Sequence, residues 1–102
     1  MGRKQKAGVI SLKGSWSSGR VWLNGRELLP GASLRVVNHS PSGFSWGYGG
    51  SGPAQLALAI LLCFYPAKEA LAFYQEFKWA YIAKLPQRDF EVSIDLAACG
   101  SL

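Results

Sequence analysis

The chain has 102 residues, of which 49% are hydrophobic and 17% charged, and a formal net charge of +5. Its apolar content is enough to offset the conformational entropy of one core, and its length leaves nothing to fill a second, which argues against both disorder and a multidomain layout. The basic balance invites a nucleic-acid partner, but Lys13, Arg20, Arg26, Arg35, Lys68, Lys78, Lys84 and Arg88 are scattered through different elements, without the clustering that releases counterions from phosphates.

Residues 1–7, with Arg3, Lys4 and Lys6, read as a flexible basic arm, and residues 8–102 as a single α+β domain. The apolar run after the arm, residues 7–10, is too short for a signal-peptide core. Cys63 and Cys99 do not make a disulfide framework, and the longest apolar stretch, residues 54–65, is too short for a bilayer. A cytoplasmic protein with no membrane span is expected.

Residues 8–12 read as a first strand. Residues 20–23 and 26–29 read as a hairpin around Asn24-Gly25, a dipeptide that tolerates positive φ at both central turn positions. Residues 34–37 read as a further strand with Leu34 and Val36 on one face. These segments predict a small antiparallel N-terminal sheet packed on a C-terminal helical hairpin.

Periodicity then disappears over residues 38–52, and a loop of that length in a compact domain usually has a purpose. Pro53 suits the first turn of a helix over 53–65 with Gly52 or Ser51 as its cap. That segment is apolar on nearly every side and reads as the central core helix, stopped by Pro66. A second helix over 67–84 carries the stripe Ala70, Phe73, Tyr74, Phe77 and Tyr81. A last strand is expected at 89–94 and a final turn or short helix at 95–99.

The turn Gly47-Tyr48-Gly49-Gly50-Ser51-Gly52 matches G-x-G-x-x-G by letter and opens a helix. Backbone N–H groups there, helped by the helix dipole, suit a phosphate or carboxylate, with Gly49, Gly50, Ser51 and Gly52 as the candidate ligand-binding residues. A dinucleotide fold also needs a parallel βαβ unit, which the second helix after Pro66 denies it. The competing role is a tight turn that lets backbones pack closely.

His39 is the sole histidine, and nothing in its spacing to Ser40, Ser51, Asp89 or Asp95 builds a nucleophile, base and orienting acid. It reads as a hydrogen-bonding residue that pins the loop, alongside Asn38, Phe44, Trp46 and Tyr48 as loop-structuring residues. The cysteines and His39 lack zinc-ligand spacing. No catalytic residue, metal or cofactor is therefore expected.

Trp79 falls about 180° around the second helix from its apolar stripe, and Trp22 points away from Val21 and Leu23 with Arg20 beside it. Trp22, Arg20 and Trp79 are thus candidates for an interaction surface. The preferred reading of Trp79 is that the C-terminal segment or the sheet covers it, because bare indole is costly.

The block Asn38-His39-Ser40-Pro41-Ser42-Gly43-Phe44, continued by Trp46-Gly47-Tyr48-Gly49-Gly50-Ser51-Gly52-Pro53-Ala54-Gln55-Leu56-Ala57-Leu58-Ala59, resembles the hallmark of a small bacterial family of unknown function. The hairpin at Asn24-Gly25 and the segment Tyr74-Gln75-Glu76-Phe77-Lys78-Trp79 extend the resemblance over most of the chain after about residue 18. The family is similar to proteins of bacterial, plasmid and phage genomes. The resemblance therefore implies a protein that binds a host macromolecule, such as a defence component that a mobile element must neutralise. A protein partner comes first among the expectations; a phosphate- or nucleotide-binding domain and a nucleic-acid-binding protein are the alternatives.

Overall fold

The computed structural model describes residues 8–96. The basic arm and most of the turn expected at 95–99 lie outside the described residues. The elements run β1 (Val9–Ser15), β2 (Arg20–Leu23), β3 (Arg26–Leu28), α1 (Gly31–Val36), α2 (Ser51–Leu62), α3 (Ala67–Phe77) with a π turn at its end (Lys78–Ile82), and β4 (Phe90–Asp95).

The expected hairpin is present. Asn24 and Gly25 have φ of 51° and 82°, the pair of positive values that matches the right-handed twist of two tightly joined strands. The Asn24 side chain also reaches the next strand, where its Oδ1 accepts from the Ser11 amide at 2.8 Å.

The four strands form one antiparallel sheet in the order β3-β2-β1-β4. The sheet is therefore not purely N-terminal. Its fourth strand comes from the far end of the chain and pairs along β1 from Val9↔Asp95 to Gly14↔Phe90. Alternation along the strands buries Ile10, Leu12, Val21, Leu23, Phe90 and Ile94 on one face and leaves Ser11, Lys13, Glu91 and Ser93 on the other. The buried face shares one hydrophobic cluster with Leu56, Leu58 and Ile60 of α2 and with Ala70, Tyr74 and Phe77 of α3. This is an α+β architecture, a sheet packed on a helical hairpin, and among the described residues no helix is long and apolar enough to cross a membrane.

The strand expected at 34–37 is a helix instead. Pro30 sits at its N-cap with φ −75°, and its carbonyl accepts both from the Leu34 amide at 3.0 Å and from Ser33 Oγ at 2.8 Å. Ser33 is fully buried while Val36 is exposed, so Leu34 and Val36 do not form a buried strand face. Apolar alternation over four residues is too short to distinguish a strand from one helical turn, and the proline with its serine decides for the helix.

α2 begins at Ser51 with Gly50 as its cap, two residues before the expected start. Pro53 is tolerated because the first four amides of a helix have no intrahelical partner. In α3 the expected stripe is corrected in two places. Phe73 is exposed, and the π turn, closed by Ala83 N on Lys78 O at 2.8 Å, inserts one residue into the helical count. The inward face passes from Tyr81 to the fully buried Ile82, while Lys78, four residues after Tyr74 on the flank of the same stripe, is buried as well.

Candidate functional site

The long loop between α1 and α2 is organised by one side chain, Gln55. It is fully buried in the second turn of α2, and all its hydrogen-bonding capacity is used. Its Oε1 accepts from the amides of His39 at 2.7 Å and Ser40 at 3.1 Å, while its Nε2 donates to Ser33 Oγ at 2.9 Å and to Val37 O at 3.0 Å. The loop start is thereby hung on the core helix. His39 Nε2 is 2.7 Å from the Tyr74 hydroxyl, which ties the same loop to α3. Asn38, beside it, is exposed.

Farther along, Trp46 is fully buried and stands edge-on to Phe90, with ring centroids 5.0 Å apart. Its Nε1 donates to the Arg88 carbonyl at 3.1 Å. Phe44 is half-buried against the core. Trp46 packs on the sheet beside Gly14, and Tyr48 lies outward with its hydroxyl 2.8 Å from Ser45 Oγ.

The glycine-rich turn is filled by the protein's own side chains. Gly47, at φ +86°, donates to Ile82 O at 3.0 Å and accepts from Gln87 Nε2 at 3.0 Å. A Cβ on Gly49 would overlap the Trp79 indole, one on Gly50 the Tyr48 ring, and one on Gly52 the Ser45 side chain. Of the four candidate ligand residues, Ser51 alone is exposed. The close approach that glycine permits is used here by aromatic rings.

Lys78 completes this arrangement. It is 6% exposed, and its Nζ donates to Gly49 O at 3.1 Å while lying 4.3 Å from the centre of the Trp79 ring. Gly49 is thus held from its carbonyl by Lys78 and covered on its Cα face by Trp79. The indole remains 58% exposed, so among the described residues neither the sheet nor the chain after Arg88 covers it as expected. The reason is local. The cation and the bare glycine surface stabilise one edge and one face of the ring, and a cation over an indole contributes on the order of 0.5–2 kcal/mol.

Trp22 stands on the open face of the sheet, away from Val21 and Leu23 as expected. It is half-buried, with the Arg20 guanidinium 5.3 Å and Lys13 Nζ 5.9 Å from its ring. Arg20 in turn makes a two-pronged pair with Glu27 at 2.8 and 2.9 Å. That hydrogen bonding holds the Glu27 carboxyl below its ordinary range and raises Arg20. Across the sheet the row reads Glu27, Trp22, Lys13, Glu91, so charges of both signs alternate around the ring. Two shallow depressions of about 350 and 270 Å³ flank it. Trp22 and Trp79 therefore belong to different layers, one on the sheet and one on the helices, and do not build a common surface.

Residues 12–98 match a family described as a family of unknown function, DUF6166. The chain belongs to DUF6166. Neither the curated proteins nor the solved structures contain a match. The matched span opens inside β1 and closes after β4, so in this DUF6166 chain it takes in the sheet, the Gln55-centred loop and the Trp79 platform together.

Two residues of the site were not foreseen from sequence. Gln55 had a visible signal, a lone amide in an otherwise apolar helix, and such a group must find partners when buried. Lys78 had one too: four residues after Tyr74, it falls about 40° from that residue at 100° per residue, on the flank of the buried stripe. Among the described residues no group of three or more His, Cys, Asp or Glu gathers at one point.

Proposed function

We propose that this DUF6166 chain is a non-catalytic binding protein that grips a protein partner through Trp79 and the neighbouring Tyr48. The observation that carries this reading is the combination of exposure and fixation at Trp79: 58% exposed, yet seated on Gly49 and under the Lys78 cation. A large aromatic group already held in place loses little side-chain freedom when a partner covers it, and such residues dominate the energetics of protein interfaces. Tyr48, 46% exposed and anchored by Ser45, adds a second amphipathic ring.

Other features support a protein partner over the alternatives. The glycines of the turn serve close packing, since the faces where Gly49, Gly50 and Gly52 lack a Cβ are covered by Trp79, Tyr48 and Ser45. On the sheet face acids interleave with bases around Trp22, a pattern that repels a phosphate backbone as much as it attracts one. His39 is engaged with Tyr74 as a loop pin.

Quantitative affinity capture from extracts of the native host, run with the wild type, Trp79→Ala and Trp22→Ala, tests the proposal. A stoichiometric protein should be retained by the wild type and by Trp22→Ala. Loss of a central indole costs about 2 kcal/mol or more, roughly a 30-fold weakening, so Trp79→Ala should release it. Equal retention by Trp79→Ala, or no stoichiometric partner for the wild type, would count against the reading.

A further inference from the structure

The face of the sheet turned away from the helices carries a compact block of unspent polar side chains. Lys13 on β1 stands directly opposite Glu91 on β4, and Ser11 stands opposite Ser93 one step along the same two strands. All four are exposed. Opposite charges that face each other across an antiparallel pair ordinarily associate. Lys13 and Glu91 nevertheless form no ion pair, and none of the four side chains has a hydrogen-bond partner among the described residues. Lys13 Nζ lies instead 5.9 Å from the centre of the Trp22 ring, at the outer limit of a cation–π contact.

Trp22 borders this block on the β2 side, where it stands across from Lys13. The two depressions beside the ring share Trp22, Lys13 and Glu91 in their walls; the larger adds Asp89 and the smaller Ser11. Neighbouring strands lie about 4.8 Å apart, and residues two apart on one strand about 6.7 Å. The block is therefore comparable in extent to one sugar ring with its hydroxyls.

The donors and acceptors on this face discriminate between small ligands. Lys13 only donates and Glu91 only accepts, while the two serines do both. An anion drawn to Lys13 meets Glu91 and Asp89, and a cation drawn to those acids meets Lys13. A hydroxyl donates and accepts at once, so adjacent hydroxyls of one ring take a hydrogen bond from Lys13 and give one to Glu91 without bringing a charge. The C–H face of the same ring is apolar and matches the indole.

We infer that the open face of the sheet is a saccharide-binding site. Lys13, Glu91, Ser11 and Ser93 engage the hydroxyls of a neutral sugar, and Trp22 packs against its C–H face. Depressions of about 350 and 270 Å³ stand at the small end of ligand sites, and together they suit two consecutive units of a short oligosaccharide. The face is open to solvent, so binding is weak, with dissociation constants on the order of millimolar. It shares no residue with the Trp79 surface, and either site can fail alone.

The probes are maltose, cellobiose and N,N′-diacetylchitobiose, each titrated to tens of millimolar against the labelled protein and followed by NMR. At least one should move the Trp22 indole resonance and the Lys13 and Glu91 amides, with equal affinity at low and high salt and in Trp79→Ala. Trp22→Ala should abolish the shifts. Lys13→Ala and Glu91→Ala should each weaken binding roughly ten-fold through loss of a charge-assisted hydrogen bond. Glu91→Gln, whose amide oxygen still accepts, should retain most of the affinity. The inference is overturned if none of the three sugars moves Trp22, if Lys13→Ala and Glu91→Ala bind as tightly as wild type, or if glucose phosphate binds more tightly than the neutral sugars. Shifts at Trp22 caused by oligothymidylate and lost steeply with salt, with none from the sugars, would overturn it in favour of single-stranded nucleic acid.

Discussion

Gln55→Leu should lower the stability of the protein by about 3 kcal/mol, because each buried polar group stripped of its partner costs about 1–3 kcal/mol. Leucine fills nearly the same volume, so the loss is not a cavity effect. The His39 and Ser40 amides lose their shared acceptor, and Val37 O and Ser33 Oγ lose their donor. The two amides are half-buried and recover some hydration, which keeps the total below a plain sum. In urea the midpoint should fall with the slope unchanged, and the melting temperature should drop by about 15 °C. Exchange at the His39 and Ser40 amides should quicken more than at the core of α2. Gln55→Glu separates the two halves of the network, since a carboxylate still accepts from those amides but donates nothing to Val37 O.

Trp46→Ala should cost about 4 kcal/mol, within the range for emptying a fully buried aromatic site. Trp46 is the point at which the loop meets the sheet. It packs edge-on against Phe90 and against Trp16, whose ring centroid is 5.5 Å away. The hole left by alanine adjoins Gly14, which has no side chain to move into it. Trp46→Phe restores most of the contact but leaves the Arg88 carbonyl without its donor, so about 1–2 kcal/mol should remain lost. Urea unfolding of the two variants measures both figures, and equal losses would show that the hydrogen bond, not the packing, carries the effect.

The parts of the fold that rest on local chemistry were legible in the sequence. Asn24-Gly25 announces its turn through two residues that accept positive φ, and the unbroken apolar run of α2 announces a helix with neighbours on every side. The single histidine was legible as a loop pin, and Trp79 as the residue opposite the α3 stripe. What was not legible depends on partners distant in sequence. Nothing in residues 34–37 says that Ser33 will be drawn inward by Gln55, the contact that helps fix α1 as a helix. The pairing of β4 with β1 joins the two ends of the chain, and no local pattern specifies it. The π turn shifts the helical count by one, so a fixed 100° per residue points to Tyr81 where Ile82 is the fully buried residue. The glycine-rich turn shows the same limit from the other side. Its letters fit an anion cradle, but which group approaches the glycines is decided by Trp79, thirty residues from Gly49 in the chain.

Gly49 must be glycine to seat Trp79, and a double-mutant cycle between the two positions is the test of that coupling. With Trp79 present, Gly49→Ala should destabilise by about 1 kcal/mol and shift the Trp79 indole N–H resonance, because the new methyl group displaces the ring. In a Trp79→Ala background the same substitution should be neutral or stabilising by up to about 1 kcal/mol, since the unfolded chain loses freedom and nothing is displaced. An equal loss in both backgrounds, with the indole resonance unmoved, would contradict the account and return the turn to the role of a ligand cradle.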